Sequence, residues 1–279
     1  MNLVAPRSPQ TALFIALALL GASCREAPND VVSARELAPS PRSSPAPRVF
    51  LETGSGETPD ARPQSPQVEM PAPRSLDRWE WALRAKGNSL TVYADPGDEA
   101  TVRATVAASN PWGEPIAFPV RAVHIERGAA WYRVLLGVEP NGSNGWVRGD
   151  DVTFDRIRHR VIVDLSSRTL RHYRDGELAH RFAVGIGAPD NPTTVGRFFV
   201  WAHLDPRDPT GAYGSYLLGL SGFSEVLTDW PGGGRMAIHG TADASDPGSR
   251  VSYGCARVYN PQMDRLRGIP MGTTVLIRH

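Results

Sequence analysis

Residues 159–187, HRVIVDLSSRTLRHYRDGELAHRFAVGIG, decide the fold class. Valine and isoleucine alternate with polar side chains, the period of a half-buried strand rather than of a helix. SSRT and RDGE are tight-turn sequences, so the stretch predicts a hairpin followed by a third strand. Toward the C-terminus, a proline-rich loop leads into RFFVWAHL, then the Gly/Tyr-rich GAYGSYLLGLSGF, then RMAIHGT, YGCARV and a closing strand, TTVLIRH. Only NPQMDRLRG reads as helical, with Asn260 as N-cap, Pro261 in the first turn and Gly268 as the stop. Toward the N-terminus lie SLTVYA, EATVRATVA, AFPVRAVHIE, AWYRVLLG and GWVRGDDVTF, separated by turns such as DPGD, NPWGEP and PNGSNG. Short strands at such spacing predict a small barrel or sandwich. The expected protein is mainly β: a small barrel, then a β-rich domain with one short helix.

Composition narrows the function classes. The chain has 279 residues, with 30 basic and 29 acidic side chains and a net charge of +1. That balance supplies no basic field for nucleic acid. Residues 25–78 are rich in Pro, Ser, Ala and Arg without sustained apolar periodicity, a composition that cannot offset chain entropy by burial and predicts a disordered linker. Ahead of it, TALFIALALL and GASC follow a single arginine, Arg7, as in a secretory leader too short to span a bilayer. The small residues before Cys24 also fit a lipobox, with Gly21 where leucine is usual. A lipid anchor at Cys24 is the favoured reading, simple secretion the alternative. The expected organisation is a leader over 1–24, a linker over 25–78, a barrel over 79–155 and a second domain over 156–279, located in the periplasm or cell envelope.

Export places the chain in an oxidising compartment. Of its two cysteines, only Cys255 would then remain, with no partner. A lone exported thiol is either inert packing or a nucleophile. His239 lies sixteen positions upstream and could take the thiol proton, lowering the apparent pKa of the sulfur. Gly254 permits a strained turn, and its amide with that of Cys255 could face a developing oxyanion. No Asp or Glu stands at an obvious spacing to orient His239, which leaves the Gly240 carbonyl. His159, His172, His180, His203 and His279 have no metal-ligand spacing and read as mostly solvent-facing. No metal or other cofactor is expected.

IHGT followed, after a short gap, by SYGCARVYN resembles the signature of the L,D-transpeptidases with a YkuD-type catalytic domain. DNPTTVGRFFV is similar to that family's P-T-P-x-G-x-F segment, and VIVDLSSRTLRHYRDGE to its first hairpin. The resemblance runs from about residue 156 to the end. It implies Cys255 as nucleophile, His239 as general base and Gly254 as the oxyanion glycine, with Ser252, Arg257 and Asn260 matching the other motif positions. Tyr253 stands where the family has histidine, and Ala256 where Ile or Val is common. Arg257 could clamp a substrate carboxylate or form a structural ion pair. Asn260 is favoured as a helix cap over a substrate contact. Tyr213 and Tyr216 could form a lid over the site or pack in the core. Separately, WYRVLLGVEPNGSNGWVRGDDV resembles bacterial SH3-like modules, with Trp131 and Trp146 as core residues rather than ligand platforms.

What the resemblance implies is acyl transfer on peptidoglycan stem peptides: a thioester on Cys255 and a three-to-three crosslink. An L,D-carboxypeptidase or a non-catalytic peptidoglycan-binding adaptor are the alternatives, and the membrane is the expected second partner, through the anchor. Papain-like peptidases are disfavoured by order, since there the nucleophile precedes its histidine.

Overall fold

The computed structural model describes residues 81–227 and 233–279. The expected leader, Cys24 and the expected linker lie outside the described residues. Seven strands follow one another first: β1 Trp81–Ala85, β2 Ser89–Tyr93, β3 Val102–Ala107, β4 Phe118–Glu126, β5 Ala129–Leu135, β6 Asn144–Arg148 and β7 Val152–Arg156. They form one antiparallel sheet in the order β3-β2-β6-β5-β4-β1-β7. Alternation does the work expected of it: Leu90 and Val92 of β2 are buried, as are Val134 and Val147. Trp131 is buried at 4% exposure, while Trp146 is half-buried and meets His124 edge-on.

The second sheet has eight strands. It begins with the predicted hairpin, β8 His159–Asp164 and β9 Thr169–Arg174, followed by β10 Glu177–Ala183. Then come β12 Gly196–Leu204, β13 Leu217–Phe223, β14 Arg235–Thr241, β16 Ala256–Tyr259 and β17 Thr274–Arg278. The order is β10-β9-β8-β17-β12-β13-β14-β16, with β11 Ile186–Gly187 and β15 Arg250–Ser252 paired separately. Two pairs of the large sheet are parallel, β17 with β8 and β14 with β16. The helix α1 is shorter than the sequence suggests, Asn260–Met263, and tightens into a 3-10 turn over Asp264–Leu266.

β12 joins the two sheets. Phe198 and Val200 point into the core of the second sheet, while Phe199 and Trp201 point into the core of the first. Alternate residues of one strand thus belong to two cores. Phe118 meets Phe199 at 6.3 Å between ring centroids. Asn141 and Phe223 exchange hydrogen bonds at 2.8 and 2.9 Å. Arg235, at the start of β14, lies 3.7 Å from the Trp201 ring centroid and donates to the Gly137 carbonyl at 2.8 Å. The first sheet therefore braces β12, β13 and the start of β14, the strand that carries His239.

Candidate active site

Parallel pairing needs a crossover between the strands, and residues 242–255 supply it between β14 and β16. In register, Ile238 faces Ala256 and His239 faces Arg257. Ile238 and Ala256 are buried at 0% and 1% on the core side. Alternation puts His239 and Arg257 on the other face, and Cys255, one residue ahead of β16, beside Ala237, whose backbone hydrogen-bonds the thiol. Sixteen positions in the chain become one strand in space.

His239 is buried, with Nδ1 2.8 Å from the Gly240 carbonyl oxygen. The Tyr213 ring meets it edge-on at 5.4 Å. Burial pulls its pKa down to about 4, against the pull of the Gly240 carbonyl; the Arg257 charge adds to the lowering. The thiol moves the other way: burial raises its pKa, and the Ala237 hydrogen bond and Arg257 only partly oppose this. The expectation that the imidazole lowers the thiol pKa is corrected here. At neutral pH the site rests as neutral thiol and neutral imidazole, because removing both from water penalises their charged forms more than the neighbours favour them.

Gly254 has φ +107°, a conformation that L side chains rarely adopt, and this turns the chain sharply before the cysteine. Its amide donates to Ser252 Oγ at 3.2 Å, and Ser252 Oγ donates in turn to the Cys255 carbonyl at 2.5 Å. The Gly254 N–H foreseen for an oxyanion is thus taken by the serine hydroxyl, which closes the turn. Tyr253 is exposed at 52%.

Arg257 is an ion-pair residue in this fold: Nη1 lies 3.1 Å from Asp246 Oδ2, which also accepts from Thr241 Oγ1 at 2.8 Å. Its Nε is buried without a hydrogen-bond partner. Asp246, 8% exposed, is the residue that sequence reasoning missed. It sits in the crossover ADASDPGS, where Asp, Ser, Pro and Gly suggest only a turn.

Asn260 corrects its expectation. It is the first residue of α1 and makes no cap; the N-cap position is Tyr259. Its side chain instead accepts from the Ser215 amide at 2.9 Å and donates to the Pro209 carbonyl at 2.7 Å, binding the Gly/Tyr-rich loop beside β14. Tyr213 and Tyr216 separate. Tyr216 is 5% exposed and packed on His203, with its pKa pushed up to about 12 by burial, and it accepts the Gly240 amide through its backbone carbonyl. Only the Tyr213 ring reaches the imidazole. Of the other histidines, His279 is exposed as expected, but His172 is 4% exposed, and His159, His172 and His180 form a row of ring contacts across β8, β9 and β10.

Residues 158–277 match the profile of the YkuD L,D-transpeptidase catalytic domain. A Bacillus licheniformis protein named as an L,D-transpeptidase, YkuD, is 34% identical over 124 residues, 44% of this chain and 67% of that relative. A Bacillus subtilis protein named in the same way, YqjB, is 31% identical over 132 residues, 42% of this chain and 69% of the relative. Among solved structures, the catalytic domain of the E. faecium L,D-transpeptidase is 25% identical, covering 43% of this chain and 95% of that one, with a TM-score of 0.32. Taken with the ordered run of motifs through the second sheet, the profile match and the two Bacillus relatives establish that the chain belongs to the YkuD-type L,D-transpeptidase family.

Proposed function

We propose that this protein is a cysteine-dependent L,D-transpeptidase acting on peptidoglycan stem peptides. The observation that supports the reading is the parallel β14–β16 register, which puts Cys255 by Ala237, on the face that also carries buried His239 two positions on. The neutral pair selects the order of events. His239 takes the thiol proton as sulfur attacks the carbonyl of the diamino acid at stem position three. The tetrahedral centre collapses, its C–N bond breaks, and the protonated His239 gives its proton to the departing D-alanine amine. An amine of a second stem then attacks the thioester, loses its proton to His239, and releases the thiol with a three-to-three crosslink formed. This is ping-pong acyl transfer by base-assisted attack rather than by a preformed thiolate. Water as acceptor would make the same site an L,D-carboxypeptidase.

In this reading Arg257, held by Asp246, braces the strand that follows the thiol, and Tyr253 is exposed beside it. Residues 1–24 export the chain and Cys24 anchors it in the cell envelope. Residues 25–78 are the linker, and 79–155 an SH3-like module that braces the catalytic domain, 156–279.

Intact mass after incubation with a carbapenem tests the reading. A single adduct is expected on Cys255 and none in Cys255→Ala; His239→Ala should slow acylation by at least ~100-fold, within the usual range for a general base. A wild-type protein that never forms the adduct would favour the adaptor. Muropeptide analysis with purified tetrapeptide stems identifies the acceptor.

A further inference from the structure

Residues 136–143, LGVEPNGS, connect β5 to β6. The loop is closed on itself: the Leu136 amide donates to the Ser143 carbonyl at 2.8 Å, and the Ser143 hydroxyl donates to the Pro140 carbonyl at 2.8 Å. It meets the second sheet where β13 ends and β14 begins. Asn141 behaves there like an added strand residue. Its side chain accepts from the Phe223 amide at 2.9 Å and donates to the Phe223 carbonyl at 2.8 Å. Gly137 takes the other strand. Its carbonyl accepts from the Arg235 guanidinium at 2.8 Å, and that group lies 3.7 Å from the Trp201 ring centroid and 4.3 Å from that of Phe223. One loop of the first sheet thus grips both Phe223 and Arg235, which pair across β13 and β14.

The residue after Phe223 reaches the thiol site. Ser224, 8% exposed, donates its amide to the Gly234 carbonyl at 2.7 Å. Its hydroxyl oxygen accepts from the Leu227 and Val226 amides at 3.0 and 3.3 Å. A Cβ at Gly254 would stand 4.0 Å from that oxygen, with the Pro192 and Asn191 carbonyl oxygens at 3.5 and 3.9 Å. Ser224 therefore forms one side of the notch that holds the Gly254 turn, directly ahead of Cys255.

We propose that Asn141 is a positioning residue for the thiol site: by fixing Phe223 it sets Ser224 against the Gly254 turn, so that the first sheet governs the alignment of Cys255 for acyl transfer. The inference rests on the transpeptidase reading. Asn141 acts through Phe223 and Ser224 rather than on the substrate. Its loss should therefore lower the limiting rate, which depends on alignment, and spare substrate affinity.

Two variants of the full-length protein test this. Asn141→Ala removes both bonds to Phe223, while Asn141→Asp keeps the acceptor and loses the donor. The limiting rate of carbapenem acylation should fall about tenfold in Asn141→Ala and by less in Asn141→Asp, with half-saturation moving by less than about twofold; a full ångström of misplacement would cost ~100-fold. Alkylation by iodoacetamide, which needs the thiol but no aligned carbonyl, should keep its wild-type rate. Leu90→Val, a core change on β2, should lower the melting point yet acylate normally below it. Without any acyl donor, the amide resonances of Gly254 and Cys255 should shift in Asn141→Ala. The inference is overturned by wild-type acylation in Asn141→Ala, by a loss confined to half-saturation, by an equal loss in alkylation or in Leu90→Val, or by unshifted Gly254 and Cys255 amides. A wild-type protein that forms no adduct would instead remove the transpeptidase reading, and the amide shifts would then decide the coupling alone.

Discussion

Cys255 and His239 illustrate how little of a residue's chemistry is carried by its identity. The pair could be found in the sequence because a lone cysteine in a chain read as exported needs a reason and because an H-G and an S-x-G-C motif stand in order. Their resting charge could not be found, since it is set by burial, which the sequence does not display. A neutral imidazole accepts the thiol proton until it is itself protonated. The acylation rate should therefore stay level from neutral pH down to about pH 5 and fall as the pH approaches about 4, where His239 charges. Stopped-flow acylation across that range checks this; a fall centred near the ordinary histidine value would mean a solvated, proton-ready base. Ser252 has a role of the same grain. Its hydroxyl closes the turn around Gly254, so Ser252→Ala should lower the acylation rate about tenfold. The cost in stability should be about 1 kcal/mol, a typical net hydrogen-bond value, read by carbapenem kinetics and by denaturant melts.

Strands with one wet face were legible and strands with none were not. β8 and β9 alternate in burial, and their turns are short. β13 is buried at all seven positions, so LLGLSGF has no alternation to detect, and its glycines suggest a loop. Gly222 is there for a contact instead: a Cβ at that position would run into the Phe198 ring. The parallel β14–β16 pair was equally hidden, because its register depends on a crossover whose own sequence suggests only turns. α1 was misjudged at its first residue, where Asn260 serves the neighbouring loop rather than the helix. That side chain gives a test at this scale. Asn260→Ala removes both ties to residues 209–215 but no cap. Hydrogen exchange should quicken in that loop by roughly 30-fold while α1 amides keep their protection, since two lost hydrogen bonds at about 1 kcal/mol each sum to about 2 kcal/mol.

For the whole molecule, the sequence suggested two bodies joined in series, whereas the structure joins their interiors through β12. Phe199, 0% exposed, belongs to the core of the first sheet although it sits on a strand of the second. Phe199→Ala should cost about 3–5 kcal/mol and lower both sheets' stability together, seen as one shared melting transition shifted downward rather than two. Two buried histidines add a pH dependence. His172 and His239 each have a folded-state pKa of about 4, His172 chiefly through burial. An unfolded histidine takes up its proton near 6.5. Between those values the unfolded chain binds more protons, so stability is complete above about pH 6.5 and is lost as the pH falls toward 4. The loss is about 3 kcal/mol for each histidine, measurable as a falling denaturation midpoint.

β16, which begins one residue after Cys255, closes the row of eight. Beyond it, β16 is held by one bridge, in which Arg257 and Gly185 exchange backbone hydrogen bonds at 2.8 Å in each direction. A border strand so lightly fastened can peel off while the interior stays intact, and with it go sulfur and guanidinium together. On gentle warming, thiol acylation should therefore fail several degrees before the far-ultraviolet dichroism changes, and should return on cooling. The enzyme would then carry its own thermal cut-out, silencing the chemistry without dismantling the scaffold.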